Sequence, residues 1–383
     1  GERGCEIDGG GRVLMPGLID AHWHSAFAAL PVSALLTADI GYVHLVAGRT
    51  AEQTLLRGFT TVRDAGGPTF GVKRAIDEGI ISGPRIYPAG AMISQTSGHG
   101  DFRATHELPR GVCGHLAHTE RIGGTVIADG VDEVLRGVRE QLMLGASHIK
   151  MMAGGGVSSA YDPIDVTQYT EAELRAGVEA AANWGTYVMV HAYTPRAVQQ
   201  ALRAGVKCID HGHLLDDETV AMIAEHDAWW SLQPFLDDED AIPVPAASRD
   251  KQGMVTDGTD RAYGLAKKHG VKLAWGTDTL FDAHLATRQG AQLAKMTRWF
   301  TPVEVLRMAT HDNAELCGLS GPRNPYPGKL GVVAEGALAD LLVVNGNPLD
   351  DIELLAAPAT GLSVIIKNGE IHKNLLPTTA QPA

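Results

Sequence analysis

The chain alternates short apolar segments with amphipathic helical segments, and this alternation restricts the fold more than any other feature. Eight segments are almost continuously apolar, as expected for parallel strands that are buried on both faces. The helical segments carry start signals, since Thr170 and Glu173 have capping-box spacing and Pro195 lies in the first turn of the next helix. The candidate strands cover residues 12–22, 59–64, 84–90, 148–153, 186–192, 206–212, 228–234 and 271–278.

This α/β pattern predicts a TIM-like (β/α)8 barrel over residues 13–325. Two regions depart from the alternation. Residues 92–130 form a long excursion between the third and fourth strands, and a loop of that length is uncommon unless it is functional. Residues 326–383 contain short strands with Gly and Asn turns and a C-terminal tail. Together with residues 1–12 they predict a small appended β-sandwich formed by the chain termini.

Charge and hydropathy argue against two classes of partner. The formal net charge is −13 and no basic block occurs, which argues against nucleic acid. No apolar run approaches the roughly 20 residues of a membrane span. The four cysteines lie far apart without a C-x-x-C pair, which is typical of a reducing compartment, so we expect a cytoplasmic location. Because the chain opens with GERGCEIDGG rather than Met, we expect any targeting sequence to precede it.

Side chains suited to metal binding recur where the predicted strands end. The first strand ends in D-A-H-W-H, which places His22 and His24 on one side of the strand. Barrel enzymes keep their chemistry at the carboxyl ends of strands, and imidazole and carboxylate bind zinc and similar divalent cations. Each residue alone has an ordinary structural explanation, but their shared placement predicts a site for two metal ions. The other donors end the fourth, fifth, sixth and eighth strands: Lys150, His191, His211 and Asp278.

Lys150 is the unusual member of this set, because Ile149 and Met151 indicate a buried strand around it. Lysine is rarely buried unless it is paired or chemically modified. Burial lowers the pKa of the amine and favours its neutral form, which can take up carbon dioxide as a carbamate. Each carbamate oxygen could bind one ion, so a carboxylated Lys150 is predicted to bridge the two metals.

The segments MPGLIDAHWH, IKMMAGGG, VHAYTP, IDHG, GTD and GALADLLVV resemble the amidohydrolase superfamily. The likeness is closest to the branch that groups imidazolonepropionase-like proteins with Xaa-Pro dipeptidases (prolidases) and Xaa-Arg carboxypeptidases, and it extends over nearly the whole chain. It implies two divalent ions, with zinc as the expected metal, and a role for Asp278 in moving a proton from water to the leaving amine. His213 matches no ligand position. The more buried ion would be held by His22, His24, Lys150 and Asp278, and the more exposed one by Lys150, His191 and His211.

The resemblance implies a substrate that carries a free carboxylate. Lys150 favours a two-metal hydrolase of amide bonds, which in this branch means dipeptides or N-acyl amino acids. Tyr193 is a candidate substrate contact, because it lies two residues after His191 and should face the pocket mouth. The long excursion supplies further candidate donors to the carboxylate: His99, Arg103, His115 and His118.

Several functional alternatives stay open. The acidic loop at residues 236–241 could receive a cationic side chain, although no acidic cluster stands out, which favours Xaa-Pro or hydrophobic C-terminal residues. Relatives that hydrolyse carbamates, phenylureas or N-acyl toxins are compatible with the same motifs. A one-metal deaminase or an imidazolonepropionase-type cyclic amide hydrolase would be revealed by ammonia release and one bound metal. A non-catalytic assembly protein would lack ligands. The resemblance also implies a homo-oligomer.

Overall fold

The computed structural model describes residues 5–108, 114–159 and 161–380. Residues 109–113 of the long excursion therefore lie outside the described residues. In chain order the strands are β1 (Cys5–Ile7), β2 (Val13–Pro16), β3 (Leu18–Trp23), β4 (Phe59–Asp64), β5 (Arg85–Pro88), β6 (Met92–Ser94), β7 (Thr125–Ile127), β8 (Ile149–Met152), β9 (Val188–Ala192), β10 (Cys208–His211), β11 (Trp229–Leu232), β12 (Lys272–Trp275), β13 (Leu341–Val344), β14 (Leu362–Lys367), β15 (Glu370–Asn374) and β16 (Thr378–Ala380).

Helices separate most of these strands. The predicted capping box is confirmed, since Thr170 accepts a hydrogen bond from the Glu173 amide. None of the helices in the described ranges is long and apolar enough to cross a membrane. The helices are α1 (Val32–Thr37), α2 (Ile40–Leu56), α3 (Phe70–Asp77), α4 (His118–Arg121), α5 (Val131–Leu144), α6 (Glu171–Asn183), α7 (Pro195–Ala204), α8 (Asp217–Glu225), α9 (Arg249–His269), α10 (Gln289–Ala294), α11 (Pro302–Arg307), α12 (Asn313–Gly318) and α13 (Pro358–Gly361).

Two parallel sheets make up the central α/β part of the molecule. One has the order β3-β4-β5 and the other the order β12-β11-β10-β9-β8-β6-β7. The Ser147 amide donates to the Pro88 carbonyl at 2.8 Å and thereby joins β5 to the start of β8. The Asp278 amide donates to the His22 carbonyl, also at 2.8 Å, and joins the end of β12 to β3. These bonds close the two sheets on each other, as the predicted (β/α)8 barrel requires.

The prediction was wrong in the extent of two elements. The segment predicted as one strand over residues 12–22 divides at Gly17, and its two halves, β2 and β3, belong to different sheets. Glycine is needed at the division, because a Cβ atom there would lie 2.1 Å from the Thr60 hydroxyl. The excursion at residues 92–130 is not a plain loop either. Gly90, at φ 75°, ends the third predicted strand, and the chain then contributes β6 and β7 to the larger sheet.

Both ends of the chain form antiparallel sheets beside the barrel. Strand β2 pairs with β13 in a sheet of order β15-β14-β13-β2, and β1 pairs with β16. Met15 and Leu342 belong to the same apolar cluster as Trp275, so the terminal sheet shares the barrel core. Strand β2 lies in this terminal sheet, although the predicted division assigns residues 13–325 to the barrel. The domain division at residues 12 and 325 and the sandwich arrangement stay predictions.

Candidate active site

The six predicted ligands meet at the carboxyl ends of the barrel strands, and we call this set the floor. The floor consists of His22, His24, Lys150, His191, His211 and Asp278. Asp278 Oδ1 lies 3.1 Å from His22 Nε2 and 3.3 Å from His24 Nε2. Donor atoms of His22, His211 and Asp278 all lie within 4.8 Å of one another. The ring of His191 is 4.5 Å from that of His211, centroid to centroid. The set therefore has the donor types and the spacing of a metal centre.

Local backbone geometry turns two of these side chains toward the centre. His211 and Asp278 both adopt positive φ, at 74° and 52° respectively. This conformation is uncommon for residues other than glycine and costs energy, so its presence at two converging donors marks a constrained site. At His211 this conformation interrupts the strand alternation, so two neighbours in sequence both face the centre of the floor. Asp210 lies near Lys150, and the His211 ring lies against that of His22.

Each floor imidazole has one ring nitrogen held by a hydrogen-bond partner, which orients the ring. Metal-ligating histidines almost always show such a second contact, because it sets the tautomer and aims the other nitrogen at the ion. The arrangement therefore fits metal binding. The four contacts are His22 Nδ1 to Asp210 Oδ1 (2.8 Å), His24 Nδ1 to the Gly66 carbonyl (2.8 Å), His211 Nδ1 to Gln233 Oε1 (2.8 Å) and His191 Nε2 to the Gly155 carbonyl (3.0 Å).

Lys150 lies in the middle of the floor and is 1% exposed. Its Nζ has no hydrogen-bond partner among the described residues, and Asp210 Oδ2, 3.6 Å away, is equally unsatisfied. The other oxygen of Asp210 accepts a hydrogen bond from the buried Arg63 guanidinium at 2.9 Å. Buried polar atoms without partners are rare and call for a missing group. The unsatisfied amine beside an unsatisfied carboxylate oxygen fits a centre that binds a further group.

The electrostatics favour the neutral forms that metals require at three floor residues, Lys150, His191 and His211. At His22 the charges of Asp278 and Asp210 outweigh burial and raise the pKa, so a bound cation must displace that proton. Burial lowers the pKa of the Lys150 amine, and it lowers the pKa values of His191 and His211 well below the usual range. Burial opposes ionisation of Asp210, but the charges of Lys150 and Arg63 hold its pKa well below the ordinary value. Neutral imidazoles and ionised carboxylates are the forms that bind cations.

A cleft opens above the floor. Apolar side chains dominate its lining, and we call the six of them given at the end of this paragraph the wall. Two acidic residues, Asp238 and Asp240, also line the cleft, but Lys295 pairs with both and Arg288 with Asp240. The acidic loop therefore offers little unpaired charge to a cationic substrate. The wall consists of Phe27, Phe102, Phe235, Ile242, Val244 and Phe281.

The structure brings two of the predicted substrate contacts to the cleft. Tyr193 lines it with its ring edge-on to His191 at 5.1 Å. His99 also lines it, stacks on His191 at 4.1 Å, and contacts the Ser159 hydroxyl at 2.6 Å.

The other excursion residues lie elsewhere. Arg103 is paired with Asp101, and neither Arg103 nor the exposed His115 is among the described residues that line the cleft. His118 contacts the Ala38 carbonyl at 2.9 Å. The structure thus does not bring these residues to the cleft lining, since charge alone says nothing about where a long loop places a side chain.

Sequence reasoning missed Asp210 and Arg63. Arg63 pairs with Asp210, and Asp210 in turn contacts the floor residues His22 and Lys150. Arg63 donates to the Ala21 carbonyl, to Tyr187 and to Asp210, and it is fully buried. A signal was present, since an arginine in the buried strand segment 59–64 and an acid directly before His211 both require partners. His213, which was not predicted to be a ligand, contacts the Gln233 carbonyl at 2.9 Å.

Comparison with known proteins identifies the class. The amidohydrolase family model matches residues 13–371, so the chain belongs to this family and is a hydrolase of amide bonds. The chain is 34% identical over 376 residues to an ochratoxinase of Aspergillus niger, covering 94% of this chain and 76% of that protein.

Two solved structures narrow the comparison. A prolidase complexed with N-methylphosphonate-L-proline is 36% identical, with a TM-score of 0.86 over 95% of this chain and 88% of that one. A Xaa-Pro dipeptidase with bound methionine in its active site is 29% identical, with a TM-score of 0.81 over 95% and 87%. The predicted resemblance to the superfamily and to its Xaa-Pro dipeptidase branch is confirmed.

Proposed function

We propose that this protein is a two-metal hydrolase that cleaves Xaa-Pro and hydrophobic dipeptides and N-acyl amino acids at the amide bond. The observation that carries the proposal is Lys150, a buried amine with no hydrogen-bond partner among the described residues, surrounded by histidines and Asp278. A one-metal deaminase would have no use for such a lysine. The likeness to a prolidase and to a Xaa-Pro dipeptidase supports the dipeptide substrate.

Lys150 would be carboxylated and would bridge two divalent cations, for which zinc suits the histidine-rich donor set. His22, His24 and Asp278 would complete one site, and His191 and His211 the other. When bound, such ions polarise a carbonyl and make water a nucleophile near neutral pH. The carbamate would remove the positive charge that burial disfavours at Lys150.

Asp278 is the residue suited to move the proton. Its side chain is 12% exposed, so it reaches the cleft while it contacts both His22 and His24. Its pKa lies well below the usual range, because the charge of His22 and hydrogen bonds from both histidines outweigh burial. Ionised Asp278 would accept a proton from water and deliver it to the leaving amine nitrogen.

Tyr193 and His99 would bind the substrate carboxylate. Both line the cleft and both flank His191, so a carboxylate held by them would lie beside the floor. The apolar wall and the paired Asp238 and Asp240 support apolar substrate groups over cationic ones. We also propose that the protein acts as a cytoplasmic homo-oligomer on small molecules, without nucleic acid or membrane partners.

A second candidate is hydrolysis of an N-acyl amino acid with a large aromatic acyl group. The extent of the aromatic wall favours it, and so does the likeness to an ochratoxinase. The two candidates share one chemistry and differ only in which acyl group the wall accepts.

The test is a screen of zinc-loaded protein against Xaa-Pro dipeptides, hydrophobic dipeptides and N-acyl phenylalanines. Free acid and free amine should be released in equal amounts. Release of ammonia, or turnover only of cyclic amides, would contradict the proposal and favour the deaminase alternative. Preference for aromatic N-acyl phenylalanines over every dipeptide would select the second candidate.

A further inference from the structure

One lysine outside the metal centre makes contacts that no surface role explains. Lys251 lies in the first turn of α9, and its Nζ donates to three backbone carbonyls of a single loop. The acceptors are Gly156 at 2.9 Å, Ser159 at 2.8 Å and Asp162 at 3.0 Å. An ammonium has three donors, so this one loop occupies its whole hydrogen-bonding capacity.

The clamped loop contacts the two histidines that stack at the edge of the floor. The Gly155 carbonyl lies 3.0 Å from His191 Nε2, and the Ser159 hydroxyl lies 2.6 Å from His99 Nδ1. Asp162 is buried, accepts a hydrogen bond from the Gly156 amide at 2.7 Å, and lies 3.3 Å from the same nitrogen of His99. One loop therefore orients a proposed metal ligand and a proposed substrate contact together.

The glycines of this loop are required by close packing. A Cβ atom on Gly156 would lie 2.1 Å from the His99 ring, and one on Gly155 would lie 1.8 Å from the Pro163 carbonyl oxygen. The His99 ring thus rests directly on the backbone that Lys251 holds. A displacement of that backbone by a few tenths of an ångström would move the ring.

We propose that Lys251 is a positioning residue that acts through this loop on His99 and His191. It touches neither the proposed metals nor the substrate. Without its ammonium the loop loses three charge-assisted hydrogen bonds, which are stronger than neutral ones, and both histidines lose a fixed support. The consequence for catalysis rests on the proposed function, whereas the structural consequence for the loop does not.

The test compares Lys251→Met with wild-type, zinc-loaded enzyme on Leu-Pro. We expect KM to rise about tenfold and zinc affinity to fall about tenfold, as for other losses of outer-shell support, with kcat at saturation within about threefold. Hydrogen–deuterium exchange of peptides covering residues 154–159 should accelerate. Lys251→Arg, which keeps a cationic donor, should recover part of the KM.

Lys207→Met is the matched control, because Lys207 donates to the His226 carbonyl at 3.3 Å on an exposed surface. Equal changes in that variant, or unchanged KM and unchanged exchange in Lys251→Met, would overturn the proposal. If Lys251→Met does not fold, Gly156→Ala tests the same loop, since a Cβ atom there must displace the His99 ring and raise KM. If wild-type enzyme cleaves none of the substrates, the proposed function fails, but the exchange and zinc measurements still decide this inference.

Discussion

The floor and the wall of the cleft are built in different ways. Floor residues stand at the ends of neighbouring strands, so the register of the sheet sets their spacing: for example, Lys150 pairs with Met189 and Met152 with His191. Wall residues stand on loops, and contacts between distant segments hold those loops, as where Lys295 binds Asp238, three residues after the wall residue Phe235, at 2.6 Å. The barrel therefore determines the chemistry at the floor, while loop contacts determine which substrate reaches the floor.

The largest expected effect is at the floor. Asp278→Asn removes the group that accepts a proton, so kcat should fall about 1000-fold. Steady-state kinetics on the best substrate of the screen measure this. Asp238→Asn, which changes a carboxylate of the cleft lining outside the floor, is the matched control, and its kcat should stay within about threefold of wild type. Equal losses in the two variants would remove the distinction between the floor and the rest of the cleft lining.

The support beneath the floor is tested by Asp210→Asn. The buried Arg63 guanidinium, 2.9 Å from Asp210, would lose its counter-charge, and His22 would lose the anionic partner of its Nδ1. Stability should fall by about 3 kcal/mol and zinc affinity about tenfold or more. Urea unfolding of the metal-free protein and a zinc titration measure these changes. The control is Asp260→Asn, which breaks an exposed pair with Arg298 and should change neither the stability nor the zinc affinity. An Asp210→Asn variant with wild-type stability and wild-type zinc affinity would contradict the role assigned to Asp210.

A smaller effect is expected where the floor meets the wall. Tyr193→Phe removes one hydroxyl from the cleft lining, so KM for substrates with a free carboxylate should rise about tenfold. The same dipeptides with an amidated C-terminus provide the control, because their kcat/KM should not change. An equal loss on both sets would show that Tyr193 supports the histidines rather than the carboxylate.

The smallest effect is expected within the wall. Ile242→Ala shortens one apolar side chain of the cleft lining, so kcat/KM for Leu-Pro should fall about fivefold, or about 1 kcal/mol. Gly-Pro lacks the side chain that would contact Ile242, and its kcat/KM should be unchanged. If both substrates respond alike, the apolar wall does not select the acyl side of the substrate.

The sequence predicted which side chains converge at the floor, because these residues lie at strand ends and follow the two-residue alternation of a strand. His22 and His24 alternate on one strand, and the structure brings both to Asp278. Asp210 was missed because alternation puts it on the face opposite His211, and only the positive φ of His211 brings both to the centre. No local pattern encodes that turn.

The excursion and the wall were less predictable for a related reason. Strands β6 and β7 have three residues each, too few to show a periodicity. The pairing of Asp240 with Arg288 and the reach of Lys251 to three carbonyls join residues about 50 to 90 positions apart. Such contacts follow from the closed barrel and not from nearby sequence.

The most direct test of the central claim is the zinc content per chain of wild-type protein and Lys150→Ala. Both proteins are incubated with zinc and bicarbonate, freed of loose metal, and measured by elemental mass spectrometry. We expect about two zinc ions per chain in the wild type and one or none in the variant, since the bridging group is lost. About one zinc ion per chain in both proteins would contradict a carboxylated, metal-bridging Lys150.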